Sequence, residues 1–299
     1  MSKYRRAHHA GSWYSNNGNA LKTSIGSFFE KVNFQKQNVK AAICPHAGYA
    51  YCLETNSHVY SCIDVQNVKN IFILGPNHHI YNKGCLFPQV EKYETPLGFL
   101  EINRSIILDI MNSDKNNLYD YIEELDDEEE HSIEMQLPLI KYIIKDKDIK
   151  IIPIYVGCIG NDSDCLLKYN LLSNNGNPLK KYFQDEGNLF LFSSDFCHYG
   201  RRFSFTNILQ KYHDKYVFKQ IENMDMDAAN IISRHDIEDF IDYLNKTHNT
   251  ICGSNPIKIM LHNYSRSVST KLMHYSQSNQ AQSANDSSVS YAGMVSAIN

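Results

Sequence analysis

Histidines stand directly after three apolar runs of this 299-residue sequence, where their side chains could bind a metal ion or move a proton. His46 follows the run VKAAIC, His78 follows IFIL, and His198 follows NLFLFSS together with Asp195. In open sheets of parallel strands, ligands bind in the crevice beyond the carboxyl ends of the strands. Three polar clusters at such positions favour one shared site over three unrelated structural histidines.

A fourth candidate is Cys252, in the stretch TICGSNPIKIML. Ser254 or Asn255 can cap a helix with Pro256 in its first turn, which places the thiol just ahead of the helix amino terminus. The dipole and the unpaired N–H groups there lower the pKa of a thiol and favour the thiolate. We therefore expect Cys252 to be partly ionised at neutral pH and able to bind a metal. A lone cysteine is otherwise more often a small buried apolar residue.

Two further histidines are candidates. His131 lies between the acidic run EELDDEEE, at 123–130, and a predicted helix, where its neighbours could orient it. His79 adjoins His78 in the cluster that follows IFIL. For the acidic run itself we expect a solvated helix start that is favoured by the macrodipole.

The chemistry of these residue types is that of an open metal site. Imidazole and thiolate ligands suit iron, copper or zinc and disfavour magnesium and calcium. A site with three such ligands would leave positions for water, dioxygen or a substrate, as a catalytic site requires. A carboxylate near an imidazole raises its pKa and fixes its tautomer, so we expect Asp195 to orient His198 for proton transfer.

The elements that must position these residues alternate between buried strands and amphipathic helices. Consecutive apolar positions predict strands at 39–44, 70–74, 149–157 and 188–194. Helical spacing predicts helices at 20–32, 132–145 and about 206–222. Polar stretches predict loops at 171–181 and 276–286. The alternation predicts an α/β protein in which a largely parallel sheet lies between two layers of helices.

Composition excludes several classes of protein. Hydrophobic residues make up 42% of the chain and the formal net charge is −4, with no basic stripe, which argues against nucleic acid as the main partner. No apolar run reaches the roughly 18 residues of a membrane span and no secretory leader is recognisable, so we expect a cytoplasmic protein. The eight cysteines are then expected to be free thiols. No shift in composition marks a boundary, which predicts a single domain over 1–299.

Nine motifs, in this order along nearly the whole chain, closely resemble the Memo family. They are HHAGSWY (8–14), PHAGY (45–49), LGPNHH (74–79), EEHSIEMQLP (129–138), PIYVG (153–157), SSDFCHYG (193–200), HNTICGSNPI (248–257), HYSQSNQ (274–280) and DSSVSYA (286–292). Each motif alone is weak, but the series is specific.

The resemblance implies a three-layer α/β/α domain related to the class III extradiol (LigB-like) dioxygenases, which use non-haem Fe(II). It also implies that His46, His78 and Cys252 are metal ligands, that Asp195 and His198 line the same pocket, and that His131 lies near it. Of the adjacent pair, we therefore expect His78 to be the ligand and His79 to support it or to be structural. The related dioxygenases have a carboxylate ligand where the resemblance places Cys252. A thiolate changes the redox potential and the metal preference, so ring cleavage does not follow directly from the resemblance.

Three functions follow from these residues and the resemblance. The first is a metal-dependent redox enzyme with Fe(II) or Cu, and with Zn as a further option, that acts on dioxygen or a small catechol-like substrate. The second is a signalling adaptor in cell motility that binds phosphotyrosine peptides of receptor kinases. The third is a protein of iron or copper homeostasis that uses the same ligands.

Overall fold

The computed structural model describes residues 4–32, 34–159, 177–264 and 268–298. A nine-stranded mixed sheet is flanked by helices, and three short strands form a second sheet. The strands are β1 (Tyr4–Arg5), β2 (Val39–Cys44), β3 (Asn70–Pro76), β4 (Cys85–Phe87), β5 (Lys92–Tyr93), β6 (Leu100–Glu101), β7 (Tyr119–Tyr121), β8 (Lys150–Val156), β9 (Asn188–Ser193), β10 (His198–Tyr199), β11 (Val268–Gln277) and β12 (Ser288–Ile298).

The helices cover both faces of the large sheet. They are α1 (Gly18–Lys31), α2 (Tyr49–Tyr60), α3 (Arg104–Ser113), α4 (Glu124–Glu129), α5 (His131–Glu134), α6 (Leu137–Ile144), α7 (Lys180–Phe183), α8 (Val217–Ser233), α9 (Ile237–Thr247) and α10 (Ser254–Asn263). Helix α2 packs against β2, β11 and β12 and contacts α1 and α6, whereas α10 packs against β3 and β9. The predicted three-layer α/β/α architecture is confirmed.

Four neighbouring strands at the centre of the large sheet are parallel, in the order β2, β9, β3, β8. They are the four predicted strands, and each observed end lies within two residues of the predicted one. Nearly every residue in them is buried because helices cover both faces, and the Phe72 and Phe190 rings stack across β3 and β9 at 4.5 Å. Their carboxyl ends lie at one edge of the sheet, and the segments with His46, His78 and Asp195 start there.

Antiparallel strands complete the large sheet on either side of this parallel centre. On one side, strand β12 pairs with β2, β10 and β11. On the other side, β4 pairs with β8 and with β7. Strands β1, β5 and β6 form the small sheet. Strand β7 is parallel to β4, so parallel pairing also occurs outside the four central strands that carry the candidate site.

Two predicted helices differ from the observed ones. The helix predicted at 132–145 is divided into α5 and α6, and the side chain of Gln136 at the break donates to Ser193 Oγ and to the carbonyl of Pro45. The helix predicted at 206–222 is wrong before Val217. There Asp214 accepts a hydrogen bond from the main-chain N–H of Tyr216, a side-chain contact that competes with helix formation.

The acidic run forms helix α4, but the expectation that it is solvated is wrong for Asp127, Glu128 and Glu130, which are buried. Asp127 lies 3.3 Å from Arg5, and Glu128 lies 2.6 Å from Arg6. Buried carboxylates are tolerated when cationic or N–H partners compensate their lost hydration. A run of like charges in the sequence does not reveal these distant partners.

Other predictions have mixed outcomes. The loop at 276–286 is confirmed from residue 278 onward, since β11 extends to Gln277, whereas most of the loop at 171–181 lies outside the described residues. The seven described cysteines are free thiols, as predicted, and Cys165 lies outside the described residues. None of the helices in the described ranges has the length and apolar character needed to cross a bilayer. The single domain over 1–299 stays a prediction.

Candidate metal centre

Three predicted ligands meet at the carboxyl edge of the parallel strands. The potential ligand atoms of His46, His78 and Cys252 all lie within 4.8 Å of one another. Nε2 of His46 is 3.1 Å from Sγ of Cys252. A tetrahedral ion with bonds of about 2.1 Å to nitrogen and 2.3 Å to sulfur holds such atoms about 3.6 Å apart. The observed spacing therefore fits one ion after small side-chain movements.

His46 follows β2, and Ser193 at the end of the neighbouring β9 orients its ring. Ser193 Oγ donates its proton to the carbonyl of Ser132 at 2.6 Å, and Nδ1 of His46 lies 2.8 Å from Ser193 Oγ. Nδ1 must therefore carry the proton of the His46 ring, which leaves the lone pair on Nε2, the atom beside Cys252. Burial lowers the pKa of His46 well below its usual value and favours the neutral form that binds metals.

His78 follows β3 and is held by Glu130. The main-chain N–H of His78 donates to one carboxylate oxygen, and Nδ1 lies 3.0 Å from the other. Burial by itself raises the pKa of Glu130, but the contacts with His78 outweigh it and bring that pKa to about 2. Burial lowers the pKa of His78, but its contacts with Cys252 and Glu130 raise it to about 10. The carboxylate of Glu130 thus stabilises a proton on Nδ1 of His78.

Cys252 lies just ahead of the start of α10, as predicted, but the capping prediction is wrong. The residue at the N-cap is Gly253, which makes no side-chain hydrogen bond, and Ser254 and Asn255 lie inside the helix. A Cβ atom on Gly253 would come within 2.4 Å of the Cβ of Ser194. Glycine is required here because the helix start approaches the end of β9 closely enough to bring the thiol to His46.

The ionisation of Cys252 also differs from the expectation. Burial raises the pKa of the Cys252 thiol, and the contact with His78 only partly opposes this. Its Sγ lies 3.2 Å from the main-chain N–H of Asp195, which donates to it. The position before a helix therefore does not by itself produce a thiolate in the metal-free protein, and a bound cation would have to displace the proton.

Asp195 and His198 both line the cleft in front of the three ligands. Among the described residues, however, no hydrogen bond joins Asp195 to His198. Asp195 accepts from the main-chain N–H of His46 at 2.8 Å, and burial raises its pKa to about 7. Nδ1 of His198 lies 2.9 Å from the carbonyl of Phe196 and 3.1 Å from that of Thr250. Since carbonyls only accept, Nδ1 is protonated and Nε2 is the basic atom.

His131 lies beside the ligands. Its ring stacks on that of His78, with centroids 4.6 Å apart, and its Nδ1 is 3.5 Å from Glu130. Burial and the charge of His78 lower the pKa of His131 to about 3. His78, Glu130 and His131 form a second group whose potential ligand atoms lie within 4.8 Å of one another. The exposed His79 belongs to neither group.

The site opens into a cleft of about 940 Å³ whose walls include Trp13, Tyr51, Arg202 and Phe203. This volume is at the upper end of the range of small-molecule pockets. Aromatic walls favour a planar ligand, and the guanidinium group of Arg202 favours an anionic one.

The sequence reasoning missed the wall that the N-terminal segment contributes. Nδ1 of His9 lies 2.9 Å from a Glu134 carboxylate oxygen, and that carboxylate also accepts from Tyr14 and is paired with the buried Arg5 at 2.6 Å. The motif HHAGSWY was the available signal, but it follows no predicted strand. Glu130 was missed as well, because it was interpreted as part of a solvated run.

Comparisons with known proteins agree with the motif series. A profile of the Memo-like protein family matches residues 5–295. Protein memo-1 homolog of Caenorhabditis elegans is 37% identical over 298 residues, which cover 97% of this chain and 82% of the relative. Protein MEMO1 of Homo sapiens is 36% identical over 299 residues, with 96% of this chain and 95% of the relative covered. Protein MEMO1 of Mus musculus is 37% identical over 299 residues, which cover 96% of this chain and 95% of the relative.

Proposed function

The chain belongs to the Memo family, and from this premise we propose that it binds one iron or copper ion through His46, His78 and Cys252 and acts as a metal-dependent oxidoreductase. One observation carries the proposal: Nδ1 of each histidine is occupied by a protein acceptor, so that both Nε2 atoms are available at the thiol of Cys252. This is how proteins commonly orient histidine ligands.

The residues fit such an ion by their chemistry. Two imidazole nitrogens and a sulfur suit iron, copper or zinc, and only three protein ligands leave open coordination positions. When bound, an iron or copper ion would supply redox chemistry with dioxygen and a Lewis acid for a phenolic oxygen. We also propose that the fold is related to that of the class III extradiol dioxygenases. A thiolate in place of their carboxylate ligand argues for a reaction other than simple ring cleavage.

The chain's own residues would then bind the substrate and move protons. The aromatic walls of the cleft would hold a small catechol-like molecule, with Trp13 and Phe203 on its sides. His198, whose Nε2 is unprotonated, would accept a proton from a phenolic hydroxyl. Asp195, at a pKa of about 7, would exchange protons near neutral pH. His131 would pack against His78 and keep water away from the ligands.

Elemental analysis of protein purified without oxygen, followed by oxygen uptake with a panel of catechols, tests the proposal. We expect close to one iron or copper per chain, and oxygen uptake that is lost in a His46→Ala/His78→Ala double variant. Full metal occupancy in the double variant would refute the ligand assignment. Oxygen uptake that is equal in the wild type and in the metal-free double variant would refute the redox role.

A signalling adaptor is the second candidate, because the open cleft carries Arg202 beside aromatic walls and could accept a phosphotyrosine side chain of a receptor-kinase peptide. An adaptor role in cell motility predicts that peptide binding survives Cys252→Ala, whereas a redox enzyme predicts that activity does not. A role in iron or copper homeostasis predicts metal binding without turnover. All three functions are consistent with the expected cytoplasmic location.

A further inference from the structure

Two overlapping groups of potential ligands share His78. In the first group, His78 meets His46 and Cys252, and in the second it meets Glu130 and His131. One imidazole has two ring nitrogens, so the protonation of His78 determines which of the two groups can bind an ion.

The contacts of Glu130 decide between the groups. Its side chain is fully buried, and one of its oxygens accepts from the main-chain N–H of His78. The other oxygen lies 3.0 Å from Nδ1 of His78 and accepts from the main-chain N–H of Ser132 at 2.8 Å. A carboxylate with these partners needs a proton donor at Nδ1. The same carboxylate therefore contacts both the main-chain N–H and Nδ1 of His78. These two contacts fix the position of the ring and its tautomer.

We infer that Glu130 is the positioning residue of the metal centre: it holds His78 as the Nδ1–H tautomer, so that an ion binds between His46, His78 and Cys252 and not between Glu130 and His131. This inference rests on the proposed metal binding. Glu130 also places a negative charge behind the imidazole, which makes Nε2 a stronger donor toward a cation. Outer partners of this kind typically change metal affinity by about 10- to 100-fold when they are replaced.

Glutamine is the informative substitution because it keeps the size and one acceptor oxygen. In Glu130→Gln, either the main-chain N–H or the Nδ1–H of His78 must face the NH₂ group of the amide. Two hydrogen-bond donors then oppose each other. When the NH₂ group faces Nδ1, it also opposes the main-chain N–H of Ser132, so neither orientation of the amide satisfies all three contacts. The preference for a proton on Nδ1 is then weakened, and a proton on Nε2 of His78 blocks metal binding. Glu129 offers a matched control, because its exposed side chain lines the same cleft and makes no hydrogen bond or ion pair among the described residues.

The experiment is a titration of chelator-treated protein with cobalt(II), followed by its thiolate-to-metal absorption. We expect Glu130→Gln to weaken cobalt binding by about 10- to 100-fold and Glu129→Gln to bind like the wild type. His131→Ala removes only the ring stacked on His78 and should weaken binding much less than Glu130→Gln. Equal affinity of Glu130→Gln and the wild type would overturn the inference. Loss of cobalt binding in His131→Ala with unchanged thermal unfolding would overturn it too, because the ion would then lie in the second group.

Imidazole nitrogen NMR of the metal-free protein separates this inference from the proposed function. At a pH where His78 is neutral, we expect its Nδ1 to be protonated in the wild type and a larger share of Nε2 protonation in Glu130→Gln. Wild-type protein that shows this tautomer but binds no cobalt, iron or copper would refute metal binding and keep the positioning role. An Nε2–H tautomer in the wild type would refute the positioning role. If Glu130→Gln does not fold, the wild-type spectrum and His131→Ala still decide.

Discussion

The Sγ atom of Cys252 lies 3.1 Å from Nε2 of His46, although 206 residues separate them in the chain. The contact exists because the start of α10 meets the carboxyl edge of the parallel strands, where Gly253 packs against Ser194. An ion bound between the two atoms would cover the thiol, so the reactivity of Cys252 reports directly on occupancy of the site.

We expect iodoacetamide to label Cys252 slowly in metal-loaded protein and faster after chelation, since a thiolate bound to a metal is not free to react. Tryptic peptides analysed by mass spectrometry measure the two rates. The buried Cys44 should stay inert, and the exposed Cys158 should react equally in both states. Unchanged labelling of Cys252 in protein that has lost its metal would show that it is not a ligand, and that His131, Asp195 or His198 completes the site.

His198→Ala is expected to lower any oxygen uptake by about 10²- to 10⁴-fold, the usual contribution of a general base, while metal content stays near that of the wild type. The reason is that His198 belongs to neither ligand group, yet its unprotonated Nε2 is available in the cleft. His79→Ala is the matched control, since His79 lines the same cleft and should change neither quantity. Parallel loss of metal in His198→Ala would make His198 a ligand.

The carboxyl group of Asp195 predicts a pH dependence of stability in the metal-free protein. Its pKa is raised by burial to about 7, against about 3.9 in an unfolded chain, so the folded state binds more protons between these values. The free energy of unfolding should therefore fall as pH rises from about 4 to about 7, by about 1.4 kcal/mol for each unit of pKa difference.

Asp195→Asn removes this titration, so its stability relative to the wild type should be greater at pH 8 than at pH 5. Denaturant unfolding in the presence of a chelator at both pH values provides the comparison. A stability difference that does not change with pH would mean that Asp195 ionises in the fold at its ordinary pKa.

Arg5→Met should lower the free energy of unfolding by about 3 to 5 kcal/mol, the usual result of leaving buried carboxylates without their cation. The guanidinium group of Arg5 is buried and lies 2.6 Å from Glu134 and 3.3 Å from Asp127. Denaturant unfolding measures the loss, and Arg234, which forms an ion pair with Asp239 that is exposed on both sides, provides the control. Arg234→Met should cost much less, and equal losses would mean that burial of the Arg5 ion pairs is not the cause.

The sequence by itself determined four strands, their burial on both faces and the polar residues at their ends. Unbroken apolar runs predict strands that are covered on both faces, and this local property survived in β2, β3, β8 and β9. Because parallel strands end at one edge, His46, His78 and Asp195 could be expected together without any knowledge of the packing. Cys252 could be placed near a helix start by the same local reasoning.

Only the tertiary structure decided how these residues are protonated and oriented. Glu130 was indistinguishable from its acidic neighbours in the sequence, yet it is buried against His78 while Glu129 is exposed. His198 is oriented by two main-chain carbonyls, and not by the nearby Asp195. Hydrogen bonds and ion pairs join segments far apart in the chain, and their strength depends on burial and distance, which a local pattern of residue types does not contain.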